Sequence, residues 1–158
     1  MRQADIDAGN DNRWRKIMVI GRSEAGKSTL MSALGMIDGA VTKTESVQFN
    51  SNCIDTPGEL LESPFFKHTF MPLSCKAKVV LLLLDPFKHS SFSPGITTIL
   101  RAPSLGVITK IDLPGADKKI ELATKQLLNA GVKEVFPISS VTGEGLDALK
   151  ARINVYIN

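Results

Sequence analysis

The chain is poor in the residues that build metal centres and disulfide frameworks. It has two cysteines and two histidines in 158 residues. Cys53 and Cys75 lie far apart, with no Cys/His spacing around them, and suit a reduced cytoplasmic compartment. Cys53 falls in an apolar run and reads as a buried thiol. His68 and His89 stand beside no nucleophile or ligand pattern and read as surface or helix-face residues. Charge of one sign is not in excess either. Nineteen Lys and Arg against 16 Asp and Glu leave +3. They form no dense basic run, so no nucleic-acid partner is expected. Long apolar runs are missing: the longest, Val79–Leu84, is far shorter than the ~20 residues that span a bilayer. Residues 1–15 are rich in Asp, Asn and Arg and carry no apolar stretch. They read as a flexible N-terminal extension, not a secretory signal.

What remains is an ordinary globular composition, 43% hydrophobic and 22% charged, in a length that fits one domain over residues 16–158. Strand-like runs occur at Ile17–Ile20, Val47–Phe49, Cys53–Asp55, Val79–Leu84, Leu105–Thr109 and Val135–Ile138. Helical patterns alternate with them at Lys27–Leu34, Ser63–Leu73, Gly95–Leu100, Lys118–Ala130 and Leu146–Tyr156. Gly131 stands where a helix-terminating glycine belongs. Ile120, Leu122, Ala123, Leu127 and Leu128 are expected to form one apolar helix face. This alternation predicts an α/β, three-layer fold with a mostly parallel six-stranded sheet. Such sheets bind ligands outside the carboxyl ends of their strands, so the residues that follow each strand matter most.

After the first strand comes Gly21-Arg22-Ser23-Glu24-Ala25-Gly26-Lys27-Ser28, which matches G-x-x-x-x-G-K-[S/T] between a strand and a helix that opens with Thr29. Gly21 and Gly26 allow a tight turn in which successive N–H groups face inward, a cradle for phosphate oxygens. Lys27 adds a point charge for the β and γ phosphates. The Ser28 hydroxyl is a hard oxygen ligand for Mg²⁺. Asp55-Thr56-Pro57-Gly58 follows the third strand. Asp55 is placed to hold Mg²⁺ through a water, and the Gly58 N–H to approach the γ-phosphate. Between these motifs, Thr42 and Thr44 are candidates for a metal-reaching switch residue, with Thr44 favoured because it lies nearer the next strand.

Thr109-Lys110-Ile111-Asp112 ends the fifth strand. A carboxylate at Asp112 can accept hydrogen bonds from guanine N1–H and its 2-amino group, which adenine cannot offer. The stem of Lys110 can lie over the base. Thr109 stands where asparagine is commoner, which predicts a weaker loop-bracing bond. Ser139-Ser140-Val141 follows the last strand and offers backbone N–H groups to guanine O6, and Thr142-Gly143-Glu144-Gly145 opens the final helix. Asp85 ends the Leu-rich strand before Pro86. It reads as a turn or capping residue, or as lining of the same cleft.

With these segments assembled, the chain resembles P-loop GTPases of the translation-factor-like class, and more narrowly the ethanolamine- and propanediol-utilisation family (EutP/PduV). The resemblance rests on IMVIGRSEAGKSTL, KTESVQF, IDTPGELLE, GVITKIDL and ISSVTGEGLDAL and covers about residues 16–153. It implies GTP and GDP as ligands, Mg²⁺ as cofactor and hydrolysis of GTP to GDP and phosphate. It also implies a bacterial cytoplasmic protein associated with metabolic microcompartments, with shell or enzyme proteins as partners. An acetate-kinase role is the alternative that the ethanolamine branch implies, with Arg22 and Lys43 as acceptor-site cations. A nucleotide-holding assembly module is the third. Two residues depart from the related pattern. Glu59 stands where a water-orienting glutamine occurs in the Ras-like branch, and slow turnover is expected from it. Glu24 reads either as an oxygen ligand for K⁺ or as a solvated loop carboxylate.

Overall fold

Two runs without a polar side chain set the centre of the molecule. Ile17–Ile20 (β1) and Val79–Leu84 (β4) are buried along their whole length, as strands covered on both faces must be. The structure is a computed structural model that describes residues 17–22, 25–34, 48–49, 53–56, 66–88 and 92–157, with backbone alone at 48–49, 53, 55 and 157. Around the two central strands run Gln48–Phe49 (β2), Cys53–Asp55 (β3), Ser104–Ile108 (β5) and Val135–Pro137 (β6). They form one six-stranded sheet in the order β2-β3-β1-β4-β5-β6. Every pairing is parallel except β2 with β3 at one edge. The register sets Val19 beside Asp55, Ile20 beside Leu82, Leu84 beside Ile108 and Ile108 beside Pro137. The carboxyl ends of β1, β3, β4, β5 and β6 therefore share one edge of the sheet.

Alternate side chains of each strand point to opposite faces, so the sheet carries two cores. Ile17, Val19, Leu81, Leu83 and Val107 pack with Leu30 and Met31 of helix α1 (Lys27–Ala33) and with Leu149 and Ile153 of helix α4 (Leu146–Ile157). Met18, Ile20, Leu82 and Ile108 pack on the other face, with Phe70 of helix α2 (Phe66–Ser74) and with Ala123 and Leu127 of helix α3 (Ile120–Ala130). This is the expected three-layer arrangement.

Three local expectations change. The segment 95–100 is a 3₁₀ turn over Ile96–Ile99, not an α-helix. The helix expected from Lys118 begins at Ile120, after a separate 3₁₀ turn over Ala116–Lys118. Leu122 and Leu128 do not belong to the buried face of α3: they are 61% and 49% exposed, while Ala123, Leu127 and Ala130 are covered. Those three lie at i, i+4 and i+7, one stripe of a helix. Leu122 and Leu128 flank that stripe by one residue each, about 100° around the axis. Truncating Leu127 to Ala should cost about 2–5 kcal/mol. Gly131 does end α3, at φ +117°, with its N–H on the carbonyls of Leu127 and Leu128.

Candidate nucleotide-binding site

The chain leaves β1 at Ile20 and enters α1 at Lys27. The two glycines of this loop do different work. Gly26 has φ +99° and ψ 19°, a left-handed turn that suits glycine. Gly21 is needed for close approach instead: a Cβ there would lie 3.2 Å from both the Cβ and the carbonyl oxygen of Leu83 on β4. The tight turn expected of both glycines is made by Gly26. The Ala25 N–H donates to the Arg22 carbonyl at 3.1 Å. Lys27 is only 7% exposed, and a buried ammonium is costly unless its donors are used. Its Nζ donates to the carbonyls of Gly21 at 2.8 Å and Arg22 at 3.1 Å. Ser28, half-buried, and Thr29, exposed, follow on the first turn of α1.

The loop after β5 is tied directly to this one. Thr109 is buried, and its Oγ1 donates to the Ala25 carbonyl at 2.8 Å across 84 residues of sequence. A threonine thus makes the bracing bond at an ordinary strong distance. Lys110 turns the chain with φ +61°, and its Nζ meets Asp85 Oδ2 at 2.7 Å. Asp85, 3% exposed, also accepts from the Phe87 N–H through Oδ1 at 2.9 Å. Asp85 is therefore a turn residue, and a partner of Lys110 in the loop after β5 as well.

Asp112 is held from the loop after β6. Ser139 Oγ donates to Asp112 Oδ1 at 2.8 Å. The same oxygen accepts from the N–H groups of Val141 at 3.2 Å and Thr142 at 3.0 Å. A hydroxyl fed by two backbone donors must point its proton at the carboxylate. The Ile111 N–H donates to the Ile138 carbonyl at 3.3 Å and links the same loops. Of the three residues expected to face guanine O6, Val141 has its N–H directed at Ser139.

The third corner is the end of β3. Asp55 pairs with Val19 of β1. Thr56 beside it is wholly buried, with Oγ1 donating to the Val19 carbonyl at 2.8 Å. Lys27 at the start of α1, the backbone of Asp55 at the end of β3 and Asp112 in the loop after β5 thus lie at the carboxyl edge of one sheet. A serine hydroxyl at position 28 and a carboxylate at position 55 are hard oxygen donors, the set that magnesium takes.

Such geometry narrows the fold without naming its relatives. The family model described as "Ethanolamine utilisation - propanediol utilisation" matches residues 14–155. The chain belongs to this ethanolamine- and propanediol-utilisation family. It is 32% identical over 141 residues to propanediol utilization protein PduV of Citrobacter freundii, covering 89% of this chain and 93% of that one. It is 31% identical over 144 residues to the probable acetate kinase EutP of Salmonella typhimurium, covering 89% and 87%. Among solved structures it resembles Era in complex with MgGDPNP and 16S ribosomal RNA, at 25% identity with a TM-score of 0.62. That match covers 89% of this chain but 55% of the Era chain, so the chain spans about half of that neighbour. The fold is that of a P-loop GTPase.

Several residues singled out in this family member lie outside the described residues: Ser23 and Glu24 of the phosphate loop, Thr42, Lys43 and Thr44, Gly58 and Glu59, His89, and residues 1–15. The Cys53 side chain is also outside them. His68 is exposed, as expected of a surface histidine, and Cys75 is an exposed free thiol. Among the described residues no helix is long and apolar enough to cross a membrane. Sequence reasoning missed the pairing of Asp85 with Lys110, the Thr56 cross-link and the orienting role of Ser139. A signal existed for the first. Leu84 and Ile108 end adjacent parallel strands at the same level, and an acid one residue beyond the first and a base two residues beyond the second are within reach of each other.

Proposed function

We propose that this chain binds guanine nucleotide with Mg²⁺ and hydrolyses GTP slowly to GDP and phosphate, as an accessory or regulatory protein of ethanolamine or propanediol utilisation. The observation that carries this is the hydrogen bond from Thr109 to Ala25, which fixes a base-reading carboxylate loop against a phosphate-loop lysine. In this reading Gly21, Arg22, Ser23, Glu24, Ala25, Gly26, Lys27, Ser28 and Thr29 cradle the phosphates. Thr109, Lys110, Asp112, Ser139, Ser140 and Val141 receive guanine, and Gly58 meets the γ-phosphate. Ser28, Asp55 and Thr44 would hold Mg²⁺, which supplies charge neutralisation at the phosphates when bound.

Lys27 holds the transferring phosphoryl group in line with a water. The water oxygen bonds to γ-phosphorus as the bond to the β–γ bridging oxygen breaks, and GDP leaves with that electron pair. A Glu59 carboxylate offers only acceptors and is like-charged with the γ-phosphate, so it does not replace a water-orienting glutamine, and turnover is slow. Microcompartment shell or enzyme proteins are the expected partners. Cytoplasmic, microcompartment-associated placement belongs to the same reading, and membership of the utilisation family supports it.

The deciding experiment titrates Mg–GDP and Mg–ADP onto the protein and repeats both with Asp112→Asn. Guanine should win by at least about 100-fold, because a carboxylate built for two donors is left unpaired by adenine. Equal binding of the two, or an indifferent Asp112→Asn variant, would overturn the guanine assignment. Phosphate release from GTP, compared in Na⁺ and K⁺, then tests hydrolysis and a second-cation role for Glu24. A second reading, phosphoryl transfer to a small carboxylate, is favoured by the name borne by the EutP relatives. Acetyl phosphate formed from labelled GTP and acetate would establish it in place of hydrolysis.

A further inference from the structure

Lys110 is the least comfortable residue of the site. It is the one non-glycine residue with positive φ among the described residues, at +61°. A left-handed backbone is disfavoured for an L-residue, so something must hold it there. On its two sides Thr109 is buried and bonded to Ala25, and Ile111 is bonded to Ile138. The side chain has its own anchor. Asp85, buried at the end of β4, places Oδ2 2.7 Å from Lys110 Nζ while Oδ1 receives the Phe87 N–H. The carboxylate cannot swing away without giving up the turn bond. A buried carboxylate that lost its cation would also be strongly disfavoured.

We propose that Asp85 is a positioning residue for base recognition, which acts through the Asp85–Lys110 ion pair to hold the lysine stem as a fixed wall beside the purine. The proposal rests on the guanine-nucleotide reading above. Its chemistry is directional. The pair lies at the base-reading loop, so it should set the affinity for the nucleoside part of every guanine nucleotide and leave the phosphoryl step alone. A flexible lysine stem would give up part of its packing energy to rotamer entropy at each binding event. One held by a buried carboxylate does not.

The test uses the full chain with Asp85→Asn, Lys110→Met and the double variant, each titrated with Mg–GDP and assayed for GTP turnover. In Asp85→Asn the amide oxygen can still accept from Phe87, so the turn survives and the ion pair does not. The Kd for GDP should rise about tenfold, and KM for GTP with it, while kcat stays within about twofold. Asp85→Asn should have no further effect on GDP affinity in the Lys110→Met background. A merely structural Asp85 would instead lower Tm and act equally in both backgrounds, and that result overturns the proposal, as does an unchanged Kd. If Lys110→Met fails to fold around its unpaired carboxylate, Asp85→Glu replaces it in the test. Restoring the charge should then recover much of the lost affinity, and no recovery overturns the proposal. Wild-type protein that prefers no guanine nucleotide overturns the underlying function. Wild-type protein that binds GDP as expected beside an indifferent Asp85→Asn overturns only the role of Asp85.

Discussion

The two ends of the site are built from different materials. At the phosphate end one buried lysine is bonded to main-chain carbonyls of its own loop, Gly21 and Arg22. At the end proposed for the base, side chains are bonded to other side chains from loops far apart in sequence: Asp112 to Ser139 and Lys110 to Asp85. Phosphate recognition needs a charge and a loop of the right curvature, which a short contiguous segment can supply. Recognition of one purine needs acceptors held within tenths of an ångström, and that takes several elements packed together. Thr109 joins the ends, its hydroxyl on the carbonyl of Ala25.

That contrast can be broken in order of expected effect. Lys27→Ala should weaken GDP binding by about 1,000-fold or more, since charge-assisted bonds to phosphate are the strong ones, and should leave guanosine binding unchanged. Titration with the nucleotide and the nucleoside separates the two. Asp112→Asn should weaken GDP by about 100-fold and improve binding of xanthosine diphosphate, whose 2-carbonyl accepts what the new amide donates. If both nucleotides weaken together, Asp112 serves the fold more than the base. Ser139→Ala should cost about tenfold in GDP affinity while the preference for guanine persists, because the carboxylate remains but loses its orienting donor. Thr109→Val should be the mildest, about threefold to fivefold for GDP, with about 1 kcal/mol lost in denaturant unfolding. It alone should act on both ends, and a cycle with Lys27→Ala that shows strict additivity would argue against the link.

Most of the sheet and the phosphate end were legible because their signals are local. The bounds of β1, β3 and β4 coincide with the apolar runs. The glycine, lysine and serine of the loop are contiguous. At the other end the Thr109–Asp112 motif stands out in the sequence, and the residues that support it do not. Ser139 lies 27 residues beyond Asp112, Asp85 lies 25 before Lys110, and Thr56 reaches Val19 across 37. Periodicity does not reach so far; only strand order does. The misplaced face of α3 has a different cause. Leu122 and Leu128 are large and apolar, and their size drew them into a face that left out Ala130. Yet small residues are what let a helix lie close on a sheet, and Ala123 and Ala130 are the ones buried.

The backbone at position 110 carries a lesson for anyone who recodes the pocket. A combinatorial library at this codon is constrained before any ligand is offered, because each substituent must tolerate φ +61°. Glycine, asparagine and aspartate enter such a conformation most readily, and branched side chains such as valine or isoleucine meet a steric penalty on top of the lost cation. Selection for altered base preference should therefore be worked at Asp112 and Ser139, with Lys110 held constant and Asp85 varied only alongside it.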